Sequence, residues 1–316
     1  MDVSVVIVSY NSKDLFKNCL ESVYKFTKDL EFEVIVVDNA STDGVTDYLK
    51  SQISPASPEL GRGRANIKDT NQKSNLKAIF SEENLGFSRG NNVGIKEAKG
   101  KYVLLLNNDT ELLENSIERM KLWMDAHQDV AVVSCQLVNS EHKASATGGF
   151  FPRLHNVIAW GWFLDDLPIL RNYFPSYHPH PGPMYDKEQF LDWVTGAFFF
   201  VRKAAIDQVG MFDENIFMYG EELEWCIRFK KAGWKIGYTP ITKVVHHERG
   251  SQGGLPKGAI LGEFRGLKYI YGKHYPGWMQ VALGTVLDVA AFLRVVLWLV
   301  RLKPQMAKIF LEALLL

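Results

Sequence analysis

The sequence predicts an α/β fold, a mostly parallel sheet with helices on both faces, followed by C-terminal amphipathic helices. Three observations carry this prediction. Short apolar, β-branched runs alternate with amphipathic helical stretches through the first 110 or so residues, and such runs read as strands buried on both faces. The runs end in small polar clusters, at the position where an open α/β sheet collects its ligands. Past Gly250 the pattern turns helical and increasingly apolar.

Taken in order, Val3–Val8 is the first strand, and Leu15, Cys19, Leu20 and Val23 mark one face of a helix over Leu15–Tyr24. Phe32–Val37 is the second strand, ending in Asp38, and Ala40–Gly44 supplies turn and cap residues before a helix at Val45–Lys50. Ser51 to about Lys73 is rich in Ser, Pro and Gly and reads as a surface insertion. Lys77–Phe80 is a third strand, Arg89–Ala98 a helix stopped by Gly100, and Tyr102–Leu106 a fourth strand. Strands separated by helices imply a parallel sheet. Gly148–Tyr185, crowded with aromatics, His and Pro, reads as long loops. Phe190–Val201 is a strand-like run broken at Thr195-Gly196, Phe212–Ala232 carries acids into a helix, and Trp234–Tyr238 is a further strand.

Composition narrows the function. Of 316 residues, 47% are hydrophobic, which excludes a disordered chain. The 36 basic and 36 acidic side chains cancel, which argues against a general nucleic-acid binder. Cys19, Cys135 and Cys226 are odd in number and far apart, so neither a disulfide framework nor a zinc knuckle is expected. That suits a reducing, cytoplasmic setting. The opening MDVSVVIVSYNS has no basic n-region and no small-residue cleavage site, so no signal peptide is expected. From Pro256 onward, eight Lys/Arg stand against three acids, a net charge of +5 on an apolar segment.

Ser9-Tyr10-Asn11, Asp38-Asn39 and Asn107-Asn108-Asp109 stand at successive strand ends and converge on one crevice. No Walker loop or GxGxxG follows the first strand, so a glycine cradle for phosphate is not the mode of binding. Carboxylates there can accept hydrogen bonds from a base or ribose and coordinate a hard divalent cation. Glu221-Glu222-Leu223-Glu224 is either a solvated acidic helix start, favoured by the helix dipole, or a source of a general base. Glu224 and Arg228 are four apart and can pair.

Six ordered motifs, VVIVSYN (5–11), VVDNASTDG (36–44), ENLGFSRGNNVGI (83–95), LLLNND (104–109), VTGAFFFVRK (194–203) and FMYGEELEWCIRFKKAGW (217–234), resemble glycosyltransferase family 2. These are inverting nucleotide-sugar transferases of GT-A fold. Within the family, the chain looks most like the rhamnosyltransferase-like members that build bacterial surface polysaccharides. The resemblance implies a catalytic domain over residues 1–250, with a nucleotide-binding half to about 110 and an acceptor-binding half beyond it. Residues 251–316 are then a helical extension.

The resemblance also implies roles. Asp38 contacts the base or ribose, with Ser9, Tyr10, Asn11, Asn107 and Asn108 around the nucleotide sugar. Asn84, Gly86 and Phe87 form the loop beneath it, and Arg89, Gly90 and Asn92 open the helix behind. Asp109 is the last carboxylate of the DXD-like motif that holds Mg2+ or Mn2+; the earlier position is Asn107, so one anion anchors the metal. Glu222 is the catalytic base. Trp193, Thr195, Gly196 and Glu221 receive the acceptor, a flat indole suiting the C–H face of a pyranose. His246, with His247 as the alternative, belongs to the late loop before Glu248-Arg249-Gly250-Ser251 and completes the metal shell. His142, His155, His178 and His180 take no role.

The implied reaction moves a sugar from dTDP-rhamnose or a UDP-sugar to a glycan or polyprenyl-diphosphate-linked acceptor. The alternatives are an inactive nucleotide-sugar-binding module and a nucleotidyltransferase. Val281–Val300 has membrane-spanning length but holds Asp288 and Arg294; each charge costs about 2.5–3.5 kcal/mol at a helix centre. Arg294, Arg301 and Lys308 recur every seven residues, which predicts a basic face on a helix lying in the inner surface of the cell membrane. A packed helical pair, in the monomer or a homodimer, is the alternative. On the membrane reading, a chain ending near Gly277 keeps its fold.

Overall fold

The computed structural model describes residues 1–53, 75–167, 169–170, 173–247 and 257–316. Most of the expected insertion at 51–73 therefore lies outside the described residues. The first half runs β1 (Val3–Ser9), α1 (Lys13–Phe26), β2 (Phe32–Asp38), α2 (Val45–Ile53), β3 (Leu76–Phe80), α3 (Gly86–Glu97), β4 (Tyr102–Leu106) and β5 (Thr110–Leu112). There follow α4 (Ser116–Ala126), β6 (Val130–Val138), β7 (Gly148–Gly149), α5 (Leu154–Gly161), β8 (Gln189–Leu191), β9 (Trp193–Val194) and β10 (Phe198–Arg202). The chain continues with α6 (Lys203–Val209), α7 (Glu221–Lys231), β11 (Lys235–His246), α8 (Lys257–His274), α9 (Gly277–Val300) and α10 (Pro304–Ala313).

The main sheet has the order β3-β2-β1-β4-β10-β6-β11-β5, with β8 pairing to β11. β1 to β4 are parallel, as the strand–helix alternation predicts, and β6 and β11 are parallel to each other. β10 is wedged antiparallel between β4 and β6 and joins the two halves. Alternate residues of each strand feed opposite faces, the period-2 consequence of the pleat. Val6, Ile35, Val103, Leu105, Phe199 and Val201 enter one apolar cluster, while Val5, Ile7, Val34, Leu104, Phe198 and Phe200 enter the other. Helices α1, α2 and α4 cover the second cluster.

Two expectations need correction. Residues 148–185 are not wholly loop: α5 forms there, because Val157 and Ala159 find an apolar partner in α9 more than a hundred residues away. The helix behind the 84–87 loop opens at Gly86 rather than Arg89.

The C-terminal helices are not a separate body. Leu261, Phe264, Leu267 and Ile270 of α8, Leu283, Leu287 and Val295 of α9 and Phe310 of α10 belong to the same buried cluster as β10 and α7. The boundary at 250/251 falls outside the described residues. The predicted basic face also fails. Arg294 turns inward, donating to the carbonyls of Gly161 (2.6 Å) and Trp160 (3.1 Å), with its guanidinium 4.6 Å from the ring centres of both Trp160 and Phe163. Cation–π contact and backbone acceptors suit a planar, weakly hydrated cation better than a lipid headgroup does. Pro304 starts a new helix, so Arg301 and Lys308 are exposed but share no face with Arg294. What α9 presents outward is an apolar stripe of Val281, Val289, Phe292, Val296 and Leu299, with Asp288 among them.

Candidate active site

The three polar clusters do converge, and they do so by bonding to one another. Ser9 and Asp38 stand side by side at the ends of β1 and β2. The Asn39 amide donates to the Ser9 carbonyl (2.8 Å), and Asn108 Nδ2 reaches Ser12 Oγ (2.6 Å) and Ser9 Oγ (3.5 Å). Asn11, at φ 48°, accepts the Thr42 amide on its side chain (2.7 Å). Tyr10 is exposed beside it. The Asp38 carboxylate is buried and takes the Ser41 amide (3.1 Å) on one oxygen and the Thr46 hydroxyl on the other. It therefore fixes the β2–α2 turn as well as any ligand. Asn107 is tied to β10 through its amide and the Ala197 carbonyl (3.0 Å).

The loop beneath the crevice is held by Asn39, which sequence reading placed in a cluster but gave no role. Its side chain bonds Asn84 Oδ1 (2.9 Å), the Gly86 carbonyl (3.2 Å) and the Leu85 amide (2.8 Å). Gly86 sits at φ +74°, where a Cβ would lie 2.5 Å from the Phe217 carbonyl oxygen, so no larger residue fits. The Phe87 amide donates to that same carbonyl (2.8 Å), tying the loop to the segment before α7. Two of the assigned residues have protein contacts of their own. Asn92 is buried with its amide group engaged by the Phe212 backbone and Glu214, which makes it a clamp between α3 and that segment. Arg89 is exposed and pairs loosely with Glu83 (3.6 Å), a surface contact of little energetic weight.

Asp109 and His246 do meet, with Nε2 3.3 Å from Oδ1, because β11 pairs antiparallel with β5 and sets His246 opposite Thr110. His247 points elsewhere, to Ser140 (2.9 Å) and Glu111 (3.2 Å). One carboxylate and one imidazole form an oxygen–nitrogen donor set that suits Mn2+ better than Mg2+, which prefers oxygen ligands alone. Glu248 to Ser251 lie outside the described residues. His180 has neighbours that its sequence did not announce: with Asp165 and Asp166 it forms a group whose ligand atoms lie within 4.8 Å of one another.

Tyr219 and Gly220 take positive φ (73° and 100°), a sharp entry that turns Glu221 and Glu222 inward at the start of α7. Burial and the adjacent Glu222 push the Glu221 carboxyl well above the ordinary range. Burial also raises the carboxyl of Glu222. Glu222 Oε1 faces the Gly196 amide at 3.4 Å. The Oε2 atoms of both side chains are buried with no hydrogen-bond partner among the described residues. Glu224 differs. Burial opposes its charge, yet His274, Arg228 and Lys273 outweigh burial and hold it below the ordinary range. The expected Glu224–Arg228 pair is present at 2.9 Å.

A cavity of about 210 Å³ opens beside Glu222. Trp193, Tyr177, Tyr219, Leu223, Leu267 and Ile270 form most of its wall. Trp193 is pinned by its indole N–H to the carbonyls of Phe150 (3.0 Å) and Tyr177 (3.1 Å). Thr195 is held through its amide to the Thr147 carbonyl (2.9 Å). His178 and Glu263 complete the lining, and sequence reading missed both. The one available signal was Glu263 itself, an acid in a strongly basic segment.

The sequence profile of glycosyl transferase family 2 matches residues 4–184, and that of glycosyl transferase family group 2 matches residues 102–314. The N-acetylglucosaminyl-diphospho-decaprenol L-rhamnosyltransferase of Mycobacterium tuberculosis is 33% identical over 107 residues, 34% of this chain and 35% of that protein. Rhamnosyltransferase WbbL of Escherichia coli is 23% identical over 258 residues, 78% of this chain and 83% of its own length. The structure of the mannosyltransferase PcManGT from Pyrobaculum calidifontis, in complex with GDP-Man and Mn2+, superposes with a TM-score of 0.54 at 16% identity, covering 98% of this chain and 85% of that one. That likeness identifies the fold as GT-A. With the match spanning more than half of its length, the chain belongs to glycosyl transferase family 2.

Proposed function

We propose that this chain transfers a sugar, rhamnose or one carried by UDP, from a nucleotide diphosphate to a lipid-linked glycan acceptor with inversion at the anomeric carbon. The observation that carries the proposal is the Glu221–Glu222 pair. Glu222 is buried and lines the cavity, with one carboxyl oxygen that has no hydrogen-bond partner among the described residues, which suits a base that receives an acceptor hydroxyl. Glu222 removes the proton of the acceptor hydroxyl, which attacks the face opposite the leaving nucleotide. One displacement inverts the centre and needs no protein nucleophile. Asp109 and His246 would hold the divalent ion, which supplies Lewis-acid stabilisation to the departing diphosphate. Asn39 and Gly86 shape the floor on which the nucleotide rests.

A lipid-linked acceptor is supported by the name of the mycobacterial relative and by α9. That helix is 24 residues long and apolar enough to cross a membrane, yet a third of its most apolar window is buried against the protein. The exposed stripe, ending at Trp298, Arg301 and Lys303, has the composition of a surface that lies in the interface with cations near the headgroups. On this reading the protein works at the cytoplasmic face of the cell membrane. Anionic liposomes should sediment the full chain, and salt should release part of it. Protein that stays in the supernatant and elutes as a dimer would assign the stripe to a second copy.

The activity itself is tested with a panel of nucleotide sugars, dTDP-rhamnose and UDP-sugars included, with Mn2+, following release of the nucleoside diphosphate. Asp109→Ala should lower metal-stimulated binding of the nucleotide at least roughly tenfold, since one carboxylate anchors the ion. Nucleotide binding without turnover across the panel would favour an inactive binding module.

A further inference from the structure

Helix α8, read from sequence as the start of a basic tail, is a wall of the active-site cavity. Its seating is set by Gly262 and Gly266, one turn apart. A Cβ at 266 would lie 2.4 Å from the Tyr219 carbonyl oxygen, and one at 262 would lie 2.7 Å from the Tyr219 ring. The helix backbone thus rests on the segment that delivers Glu221 and Glu222. Its far end is pinned to α7, where Lys273 (2.9 Å) and His274 (3.0 Å) bond Glu224.

Within that wall, Glu263 Oε1 accepts the Tyr177 hydroxyl (2.5 Å) and pairs with His178 Nε2 (3.2 Å). The His178 ring stands edge-on to Trp193, with centroids 4.9 Å apart at 81°. We propose that Glu263 and His178 form an acceptor-recognition pair sharing the cavity with Glu222, and that they restrict it to an uncharged sugar ring. This deepens the transferase reading above and rests on it.

Three features carry the inference. The aromatic wall offers flat apolar surface to the C–H faces of a pyranose, while an imidazole and two carboxyls offer partners to its hydroxyls. Burial opposes the charge on Glu263, but the contacts with His178 and Tyr177 outweigh it and hold the carboxyl below its ordinary range. A carboxylate on the entering ring would therefore meet like charge, and among the described residues no lysine or arginine lines the cavity to offset it. Finally, about 210 Å³ is below the usual range of drug-sized pockets and suits one ring rather than a chain.

The test uses the full chain, without donor or metal, and saturation-transfer NMR at millimolar methyl β-glucopyranoside or methyl β-glucuronide. The neutral glycoside should show transfer and the uronide should not. Glu263→Gln should weaken the neutral glycoside roughly tenfold, the worth of a charge-assisted hydrogen bond, and should admit the uronide. His178→Gln, at a half-exposed side chain, should weaken the neutral glycoside with an unchanged thermal midpoint, and it carries the test if Glu263→Gln does not fold. Equal binding of both glycosides, binding of neither, or a selectivity unchanged in a folded variant would overturn the proposal. Because the measurement needs no nucleotide sugar, failure of donor turnover is read separately from failure of recognition.

Discussion

The two ends of the cleft differ in how their polar groups are satisfied. At the ends of β1, β2 and β4, the side chains of Asp38, Asn39 and Asn108 bond neighbours from the same or the adjacent strand–helix unit. At the start of α7, Glu221 and Glu222 each keep one oxygen with no hydrogen-bond partner among the described residues. They are held in place by α8, which lies some forty residues further along the chain. An unsatisfied buried polar atom costs about 1–3 kcal/mol, and of these two residues Glu222 lines the cavity. The strand-end network is closed on itself, whereas the pair at the start of α7 is left open.

That contrast can be broken most forcefully at the C-terminus. A chain ending at Gly277 would lose the buried side chains of Leu283, Val286, Leu287 and Val295 in α9, each worth about 1.5–3 kcal/mol. The loss is on the order of 10 kcal/mol against a typical total of about 5–15. Such a chain should aggregate or lose near-ultraviolet dichroism, contrary to the separable tail expected from sequence. Glu222→Gln comes next. Turnover should fall by roughly 10²–10⁴, the worth of a positioned general base, while nucleotide binding by calorimetry stays near wild type. Near-normal turnover would transfer the role to Glu221.

A smaller effect is expected at the contact between the two regions. Gly266→Ala should push α8 off Tyr219 and lower stability by about 1–3 kcal/mol, as overpacking does. The readout is the urea midpoint, and Gly272→Ala, with open space around it, serves as the control.

The smallest effect is one of sign with pH. Glu224 and Glu263 are depressed in the folded state, so their contribution is present above the unfolded value near 4.3 and fades as pH falls through the folded values. Glu221 and Glu222 are raised. Their contribution is full below about 4.3 and is lost as pH rises through the folded values. Urea midpoints should therefore show Glu221→Gln gaining on wild type between pH 5 and 8, and Glu224→Gln losing ground over the acid range where the native carboxylate becomes ionised. Parallel pH profiles for the two variants would remove the distinction drawn between these acids.

Much of the nucleotide end was legible because it is local. Val3–Val8 and Phe32–Val37 are continuous apolar runs, and their terminal polar residues act on neighbours a few positions away or one strand across. The pairing of Asp109 with His246 was reachable only through motif resemblance, since 137 positions separate them. The role of Asn92 was misread because an asparagine near a loop carries no sign of whether its amide faces a ligand or, as here, the backbone at Phe212.

By itself, the sequence determined the strand–helix alternation, the strand-end clusters and the acidic start of α7, all set by local periodicity and turn chemistry. The tertiary structure alone decided that α5 is a helix, that Arg294 turns inward, and that Glu263 and His178 reach the cavity beside Glu222. Those outcomes depend on α8 and α9 packing on elements far away in the chain, and burial between distant segments leaves no periodic trace in either one.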